Sequence, residues 1–193
     1  MSQTAGVPGT EELQRRLAQD EADFRETLAE YGFTEEETAG FKQRIDAGEP
    51  LYAILGMPES DVRERYDLAR RLYEAGRLSE AEALFRWLCL YSDSAPVNWM
   101  GLGAVLQCRG QWEDALNAYG MSVQYTEGEE PAPWYHCGIC SMQLGRHEEA
   151  AAALKEAILR CDPSVPGHEE LLSRAVALYA SLEKKEAGHV ANP

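Results

Sequence analysis

The chain is short of positive charge: 18 lysines and arginines stand against 33 aspartates and glutamates, a net of −15. A surface of that sign repels phosphates over about a Debye length, which argues against nucleic acid as a partner. Long apolar runs are missing too. Leu51 to Leu55 is among the longest, against the roughly 18 residues needed to span a bilayer, so direct membrane insertion is not expected. The opening stretch Met1 to Gly9 has neither the basic nor the apolar region of an export signal, and the expected location is cytoplasmic. Cysteines are few and odd in number. Cys89, Cys108, Cys137, Cys140 and Cys161 are scattered through helical patterns, which fits reduced, buried thiols rather than a disulfide framework. No phosphate-cradling loop is present, because Gly101-Leu102-Gly103 lacks the third glycine and the preceding strand of a dinucleotide site. Apolar residues, by contrast, are not scarce. At 45% of 193 residues they suffice for a real core.

What is present is a period. Gly76, Gly110 and Gly145 lie 34 and 35 residues apart, and Ala81, Ala115 and Ala150 keep the same spacing. Between them run helical patterns, with Tyr66, Leu68, Ala69, Leu72 and Tyr73 before the first glycine and Ala81, Phe85 and Leu88 after it. Trp99, Leu102, Gly103, Leu106, Trp112, Ala115, Tyr119 and Ser122 repeat the scheme, and Trp134, Gly138, Ala150, Leu154 and Ala157 repeat it again. A 34-residue period of paired helices resembles the tetratricopeptide repeats, in which each unit buries its apolar face only by stacking on the next. The fold class expected is all-α: three tandem repeats (62–95, 96–130, 131–163) in a right-handed solenoid, with N-terminal helices and a C-terminal capping helix. The domains read as a leader over 1–50, the repeats within 51–163, and a cap and tail over 164–193.

Local signals add detail. Leu13, Leu17, Phe24 and Leu28 suggest a helix from about Glu11 to Tyr31. Thr34 with Glu37 reads as a capping box opening a short helix through Phe41 and Ile45, which stops at Gly48 and Pro50. Ser79 with Glu82 reads as a similar cap for the second helix of the first repeat. Gly103, Gly138, Ala81, Ala115 and Ala150 fall where helices cross closely, with Phe85, Tyr119 and Leu154 filling the adjacent space. Asp162-Pro163 closes the third repeat, and His168 to Ala187 forms a last helix with Leu171, Leu172, Ala175, Leu178, Tyr179 and Leu182 on one stripe.

In such repeats the first helices line a concave groove. The register points Arg63, Tyr66, Arg70, Tyr73 and Glu74 into it from the first repeat. Val97, Met100, Ala104, Gln107 and Cys108 follow from the second, and Ala132, Tyr135, Ile139, Met142 and Gln143 from the third. This is a lining of aromatic, thioether and amide groups, suited to an extended and partly apolar peptide. For Tyr66, Tyr73, Met100 and Met142 helix packing is the alternative role.

Several further segments resemble the class II chaperones of type III secretion, which hold translocator subunits in the bacterial cytoplasm. They are Tyr66-x-Leu68-Ala69 leading to Tyr73-x-x-Gly76; Phe85-x-x-Leu88-Cys89; Gly101 to Ala104; Tyr119-Gly120; and Glu130-Pro131 followed by His136, Cys140, Gln143 and Gly145. Together they cover about 50–160. The resemblance implies a chaperone that holds an extended N-terminal segment of a translocator in the groove, preventing premature association before export. It also implies a homodimer formed through N-terminal helices. Two departures stand out. The first fifty residues carry 12 acidic and 5 basic side chains, a longer and more acidic leader than is usual in the family. Arg70 occupies a place where an aromatic side chain is expected on the groove wall.

His136-Cys137-x-x-Cys140 has the spacing of half a zinc site or a redox pair, but no second pair lies nearby, and buried thiols explain both cysteines better. No metal, cofactor or catalytic residue is expected, and no enzyme. His147, His168 and His189 read as solvated. The alternative function is a general repeat adaptor or scaffold for protein–protein interaction; a clamp for acidic tails would need more groove cations than Arg63 and Arg70.

Overall fold

The computed structural model describes residues 34–190 apart from Asp93, isolated positions between 15 and 32, and for 184–190 the backbone alone. The described residues form helices and no strand. The chain divides into two compact units, 1–49 and 50–193.

In the first unit the described positions between 15 and 30 are helical, whereas Leu13, Leu17, Phe24 and Leu28 lie outside the described residues. Helix α1 spans Glu35–Asp46 behind the expected capping box. The Glu37 amide donates to Thr34 Oγ1 at 3.2 Å, and the Thr34 amide donates back to the Glu37 carboxylate at 2.9 Å. The Thr34 amide and then the Thr34 hydroxyl, both donating to it, hold the Glu37 carboxyl below its ordinary range.

The second unit begins with a single helical turn, α2 (Leu51–Ile54), followed by three helix pairs: α3 (Glu59–Glu74) with α4 (Leu78–Tyr91), α5 (Pro96–Cys108) with α6 (Trp112–Tyr125), and α7 (Pro131–Gln143) with α8 (His147–Arg160). Helix α9 (His168–Val190) closes it, packing on α8 and α7. Each helix touches the next, so every pair between the ends is covered on both sides. The three register glycines build one device three times. Gly76, Gly110 and Gly145 adopt φ near +73°, a left-handed conformation that side chains resist. Each donates to the carbonyl three residues back, and the following amide reaches the carbonyl five back, as in Arg77 to Leu72 at 2.9 Å. This is a Schellman turn, which satisfies the last carbonyls of one helix and launches the next.

That turn also overrides one expectation. Helix α4 starts at Leu78 with Arg77 at its cap and no side-chain capping bond, so Ser79 and Glu82 are not a capping box. Ser79 lies inside the helix, and its hydroxyl accepts from Arg109 at 3.4 Å, while Arg109 also pairs with Glu82 at 2.6 Å. Arg146 pairs in the same manner with Glu113 at 2.8 Å, so the turn of a later pair is tied to the second helix of the pair before it.

The core follows the small-residue register. Ala81, Ala115 and Ala150 are fully buried. A Cβ on Gly103 would come 2.6 Å from the Tyr119 ring, one on Gly138 would come 2.7 Å from Leu154, and one on Gly101 would run into the Phe85 ring. The extra residue of the third repeat falls in the connection 126–130, against 92–95 earlier, where Glu127 and Gly128 both take positive φ. The buried Gly128 carbonyl accepts from Trp134 Nε1 at 3.0 Å and from Arg160, whose guanidinium lies 5.2 Å from the Trp134 ring centre.

Candidate functional site

The first helices of the pairs carry the candidate site. Helices α5 and α7 open with proline at N1, where a missing amide costs nothing, and both are apolar on nearly every face. Their neighbours cover most of those faces. What stays open is the row picked out by the repeat register. Tyr66, Tyr73, Met100, Ala104, Gln107, Tyr135, Ile139 and Met142 are half-buried and Arg63 and Arg70 exposed, while the intervening Ala69, Leu72, Leu102, Gly103, Leu106 and Cys137 are buried.

The tyrosines and methionines hold both roles that the sequence left open. Tyr66, Tyr73 and Met100 pack against the main core cluster, and Tyr135 and Met142 against the C-terminal one, yet all keep partial exposure. Tyr66 meets Phe85 edge to face at 6.0 Å. Such side chains are braced from behind and offer their outer surface at low entropic cost. The two arginines are not free cations. Arg63 pairs with Glu59 at 3.1 Å and Arg70 with Glu74 at 2.9 Å, both one turn away on α3.

Polar links run across the row. The Tyr73 hydroxyl and the Cys108 thiol share a hydrogen bond of 3.5 Å between α3 and α5, which together with burial raises the Tyr73 pKa. Between α5 and α7, Gln107 Oε1 accepts from the Tyr119 hydroxyl at 2.9 Å and meets His136 Nδ1 at 3.3 Å. The His136 ring stacks on Tyr119 at 4.8 Å and meets Tyr135 edge-on at 5.3 Å. Burial pushes the His136 pKa down and the Tyr119 pKa up, so both are neutral near pH 7. The sequence reading missed His136 in this place. The signal was its register position, which is equivalent to Gly101: one accepts the ring of Phe85, the other stacks on the ring of Tyr119.

Cys137 and Cys140 are unsuited to nucleophilic work. Burial raises Cys137 to about 12 and Cys140 to about 11, leaving both protonated at neutral pH. No group of His, Cys, Asp and Glu that could hold a metal occurs among the described residues. Two expectations need correction. Cys108 is exposed rather than buried, because it ends α5 on the open row, and Cys161 is half-buried just past the end of α8. His147 is exposed, but His168 is half-buried and accepts from the Asp162 amide at 3.1 Å; His189 lies outside the described side chains. Among the described residues no helix is long and apolar enough to cross a membrane.

Comparison with known proteins gives consistent matches. The tetratricopeptide repeat family model matches residues 98–127. The low calcium response locus protein H of Yersinia pseudotuberculosis is 30% identical over 148 residues, covering 73% of this chain and 85% of that protein. The chaperone protein SicA of Salmonella typhimurium is 30% identical over 106 residues, 55% of this chain, and the match spans only 64% of SicA. Among solved structures, a type III secretion complex from Aeromonas hydrophila matches with TM-score 0.73 at 26% identity, covering 77% of this chain and 98% of that one. PcrH in complex with the chaperone-binding region of PopD matches with TM-score 0.64 at 28% identity, covering 68% and 97%. SycD in an alternative dimer matches with TM-score 0.62 at 26% identity, covering 66% and 95%.

Proposed function

The chain belongs to the class II translocator chaperones of type III secretion, and from that premise we propose that it captures an extended segment of a translocator along the row of its three first helices. The observation that carries the reading is the coincidence of register and exposure. Of the positions that a repeat protein turns toward its groove, only Arg63, Arg70 and Glu74 carry charge, and Tyr66, Tyr73, Met100, Tyr135 and Met142 are braced by the core and left partly open. The relative PcrH is solved with the chaperone-binding regions of PopD and of PopB, and SycD with a peptide of YopD. Each apolar anchor would contribute about 1.5–3 kcal/mol, part of which offsets the ordering of the peptide. Two or three anchors therefore give an affinity that permits release at export.

The protein works in this reading as a non-enzymatic holder in the cytoplasm. The leader 1–50 serves self-association, 51–163 captures the client, and 164–193 caps the stack. A homodimer accords with the dimer solved for SycD. The adaptor alternative loses ground because Arg63 and Arg70, the cations a clamp for acidic tails would need, already hold carboxylates.

The test is co-purification of the client from native cytosol with the wild type and with Tyr73→Ala/Ile139→Glu. Neither residue is fully buried, so circular dichroism should report an intact fold while client recovery falls at least about tenfold, the loss of roughly one anchor. A folded variant that retains the client at the wild-type level would remove the row from the binding site.

A further inference from the structure

Most of the half-buried row offers apolar surface, but Gln107 offers an amide whose orientation is fixed from behind. Its carbonyl oxygen is engaged twice, by the Tyr119 hydroxyl at 2.9 Å and by His136 Nδ1 at 3.3 Å. An amide oxygen only accepts, so Nδ1 carries the proton in this contact, and the half-buried His136 ring is neutral with its lone pair on Nε2. Neither donor has freedom to leave. Tyr119 is fully buried, its ring set over Gly103 and stacked on His136, and His136 is held in turn by the edge of Tyr135. With Nδ1 protonated, a half-turn of the amide would set an N–H against the Nδ1–H and forfeit the His136 bond, leaving only the Tyr119 hydroxyl able to accept. No described residue accepts a hydrogen bond from Gln107 Nε2, although the side chain is half-buried at a groove position.

We propose that Gln107 is a main-chain clamp: Tyr119 and His136 position its amide so that Nε2 donates to a backbone carbonyl of the captured peptide. The inference rests on the row being the peptide groove and adds what apolar anchors leave open. Met100, Ile139 and Met142 accept side chains of varied shape, and such contacts fix the register of an extended chain loosely. A single oriented donor fixes the position of one carbonyl whatever side chain that residue bears. Because it reads the main chain, it serves clients of different sequence, as is required where one groove holds more than one segment. Tyr119 and His136 act through Gln107.

The test uses the full chain and a synthetic peptide of the PopD chaperone-binding region, with affinity measured by calorimetry and fold by thermal unfolding. Gln107→Glu keeps an inward acceptor for Tyr119 and His136 but removes the outward donor, and Gln107→Met removes both without adding charge. Each should weaken binding by about tenfold, the value of one hydrogen bond left unmade. Tyr119→Phe should weaken it about threefold in the wild-type background and not at all in Gln107→Met, a non-additivity that a purely structural role would not produce. Binding of either Gln107 variant within twofold of wild type overturns the clamp while leaving the groove intact. A wild-type chain that does not bind the peptide overturns the groove reading, and the clamp with it.

Discussion

Helices α3 and α5 hold equivalent places in successive pairs, yet α3 carries nine charged residues in sixteen and α5 none in thirteen. The difference lies in their neighbours. Helix α5 has α4 on one side and α6 on the other, whereas α3 has its own partner α4, the single turn α2, and an edge of α5. A helix covered on both sides becomes apolar all round, and one at the end of a stack keeps a solvated face. The same register position shows it within one side chain: Leu102 is 5% exposed and its counterpart Leu68 is 42% exposed. The repeat pattern therefore fixes where a residue points, and the position in the stack decides whether anything meets it there.

The largest expected effect tests this directly. Leu102→Ala should cost about 2–5 kcal/mol, as for a buried leucine whose cavity cannot collapse, and Leu68→Ala less than about 1 kcal/mol. Urea unfolding of the two full-length variants measures both. If Leu68→Ala proved as costly as Leu102→Ala, the open face of the first pair would have a cover in solution, such as a second copy of the chain, and the contrast between end and middle would fail.

A smaller effect sharpens the comparison at the helix crossing. The first pair tolerates alanine at position 69, fully buried, where the second has Gly103. Gly103→Ala should nevertheless cost about 1–3 kcal/mol, because the new methyl would sit 2.6 Å from the fully buried Tyr119 ring, which has no space to move into. The midpoint shift in thermal unfolding reports it. A neutral or stabilising result would mean that the ring repacks, and the register would then set helix spacing less strictly than the close approach suggests.

These contrasts also mark what the sequence made legible. The glycine spacing led to three Schellman turns, and the small residues led to Tyr119 and Leu154 lying over Gly103 and Gly138, since both follow from backbone geometry repeated at a fixed interval. The capping box at Thr34 and Glu37 was legible for the same reason: it is local. Ser79 and Glu82 present the same letters, but the turn at Gly76 launches its helix one residue after Arg77 and leaves them inside it. The exposure of Leu68 could not be read from periodicity, because it depends on what lies beyond the repeat, whereas that of Cys108 follows the register that points it into the groove. His136 was hidden for another reason. Its neighbours in sequence, Cys137 and Cys140, suggest metal chemistry, while its stacking partner Tyr119 lies one helix earlier. Only a comparison of Gly101 with His136 at the same register, each beside the aromatic ring of the preceding second helix, points to its role as a floor.

That floor supplies the smallest effect and one with a sign. The third pair half-buries an ionisable ring at His136 where the first has the exposed Asp67, and a pH dependence should be traceable to that ring. Burial lowers the folded pKa of His136 below its ordinary 6.5, and the unfolded ring takes up a proton at a pH where the folded one does not. The resulting stability is complete above pH 6.5 and is lost as pH falls from there toward the folded pKa. Chemical unfolding of the wild type and of His136→Gln between pH 8 and pH 5 separates this from the carboxylates, which both chains share. The wild-type curve should fall more steeply through that window and run parallel to the variant above it. Parallel curves throughout would mean that water reaches the ring, and a ring in water could not hold Gln107 in one orientation.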